Sequence, residues 1–468
     1  MKQLVLPRRS SSFWLTLLLG FPIASTVLVA TQSNFQSSLE AATSRFWSTP
    51  AVPYRYRYFE SAERMENPIG RIEQEIALYQ ERLRQDPTSV LSQSSLATAY
   101  LQMARITGES NWYLLAEQSA QRSLSSLPFG NSDALMLLAR VAESKHDFTG
   151  ALRLAAQEPG NKESIGIQVT SNLAMGKLEI ASQAVDQWVD TLPSVSSLTL
   201  RALVKTAQGK DAEALQSFQD AIANEEPGEL TGSARTRTLL GRFYYERGDL
   251  AQAEALYREA LRIQPGLPMA LLNLAQLKIR QGDYGAADRY YADVMATSRG
   301  TPRVFDPLIL RGQARIQRLQ GNDTQAQALW AQAESLLRQT TGTKETAAFG
   351  HRRDLARLLL ERSNPPDIAA ALPLMEAEVK IRRDAETLST YAWALSANGK
   401  LQQAQQVIQE AIATGIRDAN LYDRAAEIDK ALGNTAQAQT QAQKALEIDP
   451  QFGIASQNAR NLAAGLGG

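Results

Sequence analysis

The feature that most constrains this chain is an internal period. The stretch LLGRFYYERGDLAQAEALYREALRIQP, ending at Pro265, is followed by LLNLAQLKIRQGDYGAADRYYADVMA, and the two align at a fixed offset. Gly248 and Gly282, Ala253 and Ala287, and Tyr257 and Tyr291 each lie 34 residues apart. Towards the C-terminus Gly399 and Gly433, Ala404 and Ala438, and Ala411 and Ala445 repeat the same spacing of 34. A period of this length marks stacked supersecondary units that bury a core only against their neighbours.

Within a unit the residues read as two helices about a turn. Gly248 stands where a left-handed backbone just past a helix favours glycine. Asp249 is placed to cap the next helix, and Pro265 closes it. Leu250, Ala253, Leu256 with Tyr257, and Ala260 with Leu261 recur at helical spacing. Gly241, Ala253 and Ala260 are small where two helices approach. A bulky side chain there would overpack the contact by roughly 1–3 kcal/mol.

With Leu240, Gly241, Tyr244, Gly248, Ala253, Tyr257, Ala260 and Pro265 in these places, the unit resembles the tetratricopeptide repeat. Degenerate copies carry Leu96, Ala97, Tyr100, Ala116, Ala120 and Pro128, then Leu138, Ala139, Phe148, Ala151 and Ala155 with His146 at the turn. Others turn at Gly176, Gly209 and Gly321, a weak one surrounds Pro365-Pro366, and the last closes with Ala438, Ala445 and Pro450. The resemblance implies an all-α fold, an α-solenoid of helix-turn-helix units wound into a right-handed superhelix. About nine units and a half unit are expected over 71–450, followed by a cap helix and tail at 451–468. Spacings of 39, from Gly209 to Gly248 and from Gly282 to Gly321, put extra residues into loops around Pro227-Gly228 and Gly300-Thr301-Pro302.

The N-terminus has a different character. Lys2, Arg8 and Arg9 precede an uncharged apolar run of 18 residues from Phe13 to Ala30, which as helix spans about 27 Å. Residues 1–31 are therefore expected to form a basic flank with a transmembrane anchor or signal peptide, and 32–70 a linker. The membrane contact is assigned to residues 13–30. Cations before the run and none after it predict an array on the extracytoplasmic side. Retention as an anchor is expected, with secretion after cleavage as the alternative.

Composition narrows the function. Lys+Arg and Asp+Glu both number 49, so the net charge of zero argues against nucleic-acid binding driven by bulk charge. The absence of cysteine excludes disulfides, thiolate metal sites and a cysteine nucleophile. Two histidines, His146 and His351, leave little for a histidine metal site or histidine catalysis. No glycine-rich phosphate loop or glycine-flanked nucleophilic serine is present. A protein that binds other proteins, with no cofactor and no enzymatic activity, is the expectation.

In the tetratricopeptide family the first helix of each unit lines the concave face. Carrying that register over places Arg242, Tyr245, Gln276 and Arg280 there, then Arg311, Arg315 and Arg318 at i, i+4 and i+7 of one helix. Arg353 and Arg357 follow, and Trp393 after them. Arginine forks match carboxylates bidentately, so such a stripe implies an acidic peptide segment or chain terminus. Trp393 offers an anchor for an apolar side chain. The alternative is a solvated face closed by internal salt bridges. The family's chaperone-tail clamp maps onto Thr238, Arg242, Asn273, Leu308 and Gly312, of which only Asn273 matches, so such a tail is not the expected ligand. The resemblance thus implies a membrane-tethered interaction scaffold or assembly factor, or alternatively a secreted binding module or holdase.

Overall fold

The computed structural model describes residues 68–296, 304–340 and 351–452, all within the compact unit Pro53–Gly468. The expected anchor at 13–30, all but the end of the 32–70 linker, and 453–468 of the expected cap and tail lie outside the described residues. Among the described residues no helix is long and apolar enough to cross a membrane.

The described residues form 21 α-helices. Helix α1 (Pro68–Gln85) leads ten antiparallel pairs. They are α2 (Val90–Thr107) with α3 (Ser110–Ser126), α4 (Ser132–Ser144) with α5 (Phe148–Ala155), and α6 (Lys162–Ala174) with α7 (Leu178–Thr191). Next come α8 (Val195–Ala207) with α9 (Asp211–Ala223), α10 (Leu230–Glu246) with α11 (Leu250–Ile263), and α12 (Pro268–Arg280) with α13 (Tyr284–Ala296). The array ends with α14 (Asp306–Leu319) and α15 (Asp323–Thr340), α16 (Arg352–Arg362) and α17 (Pro365–Glu378), α18 (Ala385–Ala397) and α19 (Leu401–Ala413), and α20 (Ala419–Ala431) and α21 (Thr435–Ile448). Ten pairs is one more than the expected count of about nine. The weak copy expected around Pro365-Pro366 is the pair α16–α17, which turns on Ser363 instead of glycine and carries Pro373 inside its second helix.

Each pair turns on one left-handed residue. Gly248 has φ 79° and Asp249 caps α11 through the Gln252 amide at 3.1 Å. His146, with φ 61°, replaces glycine at the turn of the second pair, as its sequence position predicts. The close approach expected at Gly241 is also present: a Cβ there would stand 2.6 Å from the Tyr257 ring. Most first helices pack on the first helix of the next pair as well as on their own partner, so they form the inner layer. A fully buried ion cluster joins two pairs, in which Arg237 of α10 bonds Glu225 and lies against Glu259 of α11.

The winding brings the array back onto itself. The turns of the first, third, fourth and fifth pairs each meet a segment about two hundred residues later in the chain. The Val304 amide donates to Gly108 O at 2.7 Å, and Arg383 N to Ala174 O at 3.0 Å. A Cβ on Gly209 would fall 1.8 Å from Gly415 O, and one on Gly248 2.4 Å from Asp449 Oδ1. Ion pairs fasten the same seam: Arg417 to Asp211 at 3.1 Å, and Arg280 to Asp449 at 2.6 Å.

Candidate partner-binding lumen

The inner helices carry the predicted groove residues, and the structure shows what holds each one. Arg242 donates to Glu246 of its own helix at 2.7 Å and remains 52% exposed. Arg280 lies 5.4 Å from the Tyr245 ring centroid, reaches the Tyr245 carbonyl at 3.3 Å, and pairs with Asp449. Gln276 is exposed. Arg311 grips Glu361 with both arms of its fork, Nε donating at 2.7 Å. Arg318 donates to the Glu361 carbonyl at 3.1 Å and covers Trp330. Arg353 bonds Asp384 at 3.2 Å and Thr387 at 3.1 Å, and Arg357 bonds Glu386. Arg315 alone of this stripe is exposed without a hydrogen bond or ion pair among the described residues.

The stripe therefore lies on the inner helices but is not a free row of cations. Apart from Glu246 on α10, its acidic partners sit on α16 and α18 and at Asp384 and Asp449 outside the helices, where no period in the sequence announces them. Burial would raise Glu386, yet Arg353, Arg357, Arg242 and Arg382 outweigh it and hold its carboxyl below the usual range. Glu361 and Asp354 behave alike, burial opposing and Arg311 or Arg353 leading the cations that win. That Arg242 on α10 acts on Glu386 on α18 puts walls four pairs apart within electrostatic reach.

Two features escaped the sequence register. The first is Arg424 on α20, whose guanidinium lies 4.2 Å from the Trp393 ring centroid. Its Nε is buried without a hydrogen-bond partner, and burial, then Arg357, pull its pKa down to about 10 against the pull of Glu427 and Asp423. Arg424 stands 9 residues before Gly433, as Asn273 stands before Gly282, so carrying the register to the last unit reaches it. The second is a cationic group in the first turn of the superhelix. There Arg140 of α4 bridges Glu143 at 2.9 Å and Glu163 at 3.0 Å, beside Arg105 of α2.

His146 serves the turn of its pair. His146 stacks on Phe148 at 5.6 Å, and burial, then Arg382, His351 and Arg353, lower its pKa to about 3 against Asp354. Among the described residues no cluster of side chains is arranged to hold a metal ion.

Comparison with known proteins agrees with this architecture. A model of the MalT-like TPR region matches residues 166–415, and a tetratricopeptide repeat model matches 419–452. The chain belongs to the tetratricopeptide-repeat family. This tetratricopeptide-repeat chain is 27% identical over 324 residues to the cellulose synthase 1 operon protein C of Komagataeibacter xylinus. The match covers 64% of this chain and 23% of that protein, so the chain spans under a quarter of its relative. Among solved structures it resembles the human IFIT1 dimer with PPP-AAAA, at 14% identity and a TM-score of 0.42, over 82% of this chain and 89% of that one. A tetratricopeptide repeat protein from Parabacteroides merdae aligns at 16% identity and a TM-score of 0.34, over 55% of this chain and 93% of that one.

Proposed function

We propose that this tetratricopeptide-repeat array is a membrane-tethered scaffold that holds partner proteins in its lumen on the extracytoplasmic side. The observation that carries the reading is the inner wall itself. First helices from successive pairs present a preformed surface on which Arg315 is exposed and half-buried Arg424 lies over half-buried Trp393. Binding to such a surface orders little backbone, so interaction energy is not lost to folding a loop. The charge of Arg315 and Arg424 favours a partner segment bearing carboxylates. The basic flank and apolar run at 2–30 support the tether and its orientation. The relative's name, an operon protein of cellulose synthase, supports a role in assembling an envelope polysaccharide machine.

The test is cross-linking co-purification from solubilised membranes, comparing wild type with the double variant Arg315→Glu, Arg424→Glu. Circular dichroism and melting of the purified array confirm that the variant is folded. A partner captured by wild type and lost from the folded variant supports the reading. The same partners retained by both move the interaction off the lumen wall.

A further inference from the structure

Where the second coil crosses the first, one carboxyl is buried without the partners that a buried charge needs. Glu378 is the last residue of α17, and its side chain is fully buried. Among the described residues neither Oε1 nor Oε2 accepts a hydrogen bond. Arg352 of α16 brings a guanidinium nitrogen to 3.9 Å from Oε2, beyond hydrogen-bond reach, and is itself 31% exposed. The neighbouring cations are shared with other acids. Arg353 bonds Asp384 and Thr387 and lies 3.4 Å from Glu386 of α18, and Arg382 bonds Asp384 at 2.7 Å. A carboxylate placed in this way is costly to ionise, and the negative end of the helix dipole adds to the cost. Burial, with Asp354, accordingly raises the Glu378 carboxyl against the opposing pull of Arg382, Arg353 and Arg352.

Glu378 is also the root of the loop that makes the crossing. Its backbone carbonyl accepts the amides of Ile381 at 3.1 Å and Arg382 at 3.0 Å. From there the Arg382 guanidinium lies 5.9 Å from the Phe148 ring centroid, and the Arg383 amide donates to Ala174 O. A Cβ on Gly176 would stand 2.6 Å from Arg383 O, so the seated loop has no slack. His146 faces this loop from the first coil, stacked on the same Phe148 ring with its Nδ1 buried and unbonded. Its pKa of about 3 leaves it neutral at higher pH, so the first coil brings no histidine cation to balance a Glu378 anion.

We propose that Glu378 is a proton-operated latch on the seam: protonated, it keeps the 380–384 loop seated on the third pair, and ionised, it releases that loop. An ionised carboxylate must reach water or draw Arg352 inward, and either movement shifts the helix end from which the loop starts. The sign follows from linkage. With its folded pKa above the ordinary 4.5, the seated form keeps a proton that the released form has lost. Its contribution to closure is full below about 4.5 and is lost as pH rises through the folded value. His146 acts in the opposite sense, so the comparison that isolates the latch is between wild type and Glu378→Gln at each pH.

The chain has no cysteine, so the full-length protein with Lys177→Cys and Lys380→Cys takes two spin labels at defined places. Both positions are exposed, one in the turn of the third pair and one in the crossing loop. Electron-spin distance distributions are recorded between about pH 4.5 and about pH 8. With Glu378 intact the distribution is expected to broaden to longer distances as pH rises, and with Glu378→Gln, which mimics the neutral acid, to stay narrow. The melting temperature of Glu378→Gln should match wild type near the acid limit and exceed it by about 2 °C or more near the alkaline one. Arg352→Gln removes the nearest cation, so it should move the broadening to higher pH. A Glu378→Gln protein less stable than wild type at the alkaline limit would make the carboxylate a stabilising ion-pair partner and overturn the latch. Equal broadening with and without the carboxyl, or a midpoint that Arg352→Gln leaves in place, overturns it as well.

Discussion

The turn glycines divide into two sets that share a backbone conformation and differ in what lies beyond it. In the first five pairs Gly108, Gly176, Gly209 and Gly248 are covered, each by a residue about two hundred positions later in the chain. In the last five, Gly282, Gly321, Gly399 and Gly433 face nothing within 4 Å of an added Cβ. The family pattern asks for glycine at all of these sites because φ is near 70–80°. Only the first set also needs glycine for room. One sequence signal thus stands for two physical demands, and the winding of the array decides which positions carry both.

The largest effect expected along this divide is at Asp449, whose carboxylate caps the seam. Asp449→Ala leaves Arg280, 10% exposed, without its acid, and should cost about 3–5 kcal/mol as a broken buried pair. Urea unfolding measures it, and a loss below 1 kcal/mol would mean that the coils do not touch in solution. Next comes the matched pair Gly209→Ala and Gly399→Ala. The left-handed backbone penalises both by roughly 1–2 kcal/mol, and steric conflict with Gly415 O adds about 1–3 kcal/mol to the first alone. Equal losses would erase the distinction between the two sets.

Acid should act on the covered set through His146. Its folded pKa of about 3 lies below the ordinary 6.5, so the unfolded chain takes up a proton that the folded chain refuses. Stability is then full above about 6.5 and falls as pH drops towards about 3. Arg382, His351 and Arg353 face the imidazole and reinforce this, while Asp354 opposes it. His146→Asn tolerates the left-handed turn and should flatten the acid side of a melting-temperature profile relative to wild type. A parallel profile in the variant would assign the acid loss to carboxylates elsewhere. Smallest of all is Arg417→Ala. Its pair with Asp211 is 47% exposed on the arginine side, so less than about 1 kcal/mol is at stake, and added salt should remove most of it.

Much of the fold was legible because its determinants are local. A glycine at Gly248, a capping Asp249 and a small Gly241 each act within a few residues or one helix contact. His146 was readable as a turn residue from its place in the period alone. The inner face was legible in part: the register put Arg311, Arg353 and Trp393 on the first helices of their pairs, as the tetratricopeptide pattern implies. It did not show that Glu361 and Glu386 would neutralise the arginines, since those acids arrive from later first helices at no fixed spacing. Nor did any period reveal that Gly209 and Gly415 converge at the seam. That convergence depends on how much each unit rotates against the next, and small packing differences summed over several units set it.

The seam also gives the array a mechanical character. An open solenoid stretches gradually, because each unit yields only against its neighbours. A coil wound until adjacent turns touch is a preloaded spring, rigid under small tension and compliant only past a threshold. Here the Arg280–Asp449 and Arg417–Asp211 links and the amides at Val304 and Arg383 would have to part before the coil lengthens. Force applied along the coil would be transmitted almost without extension up to that point and absorbed beyond it.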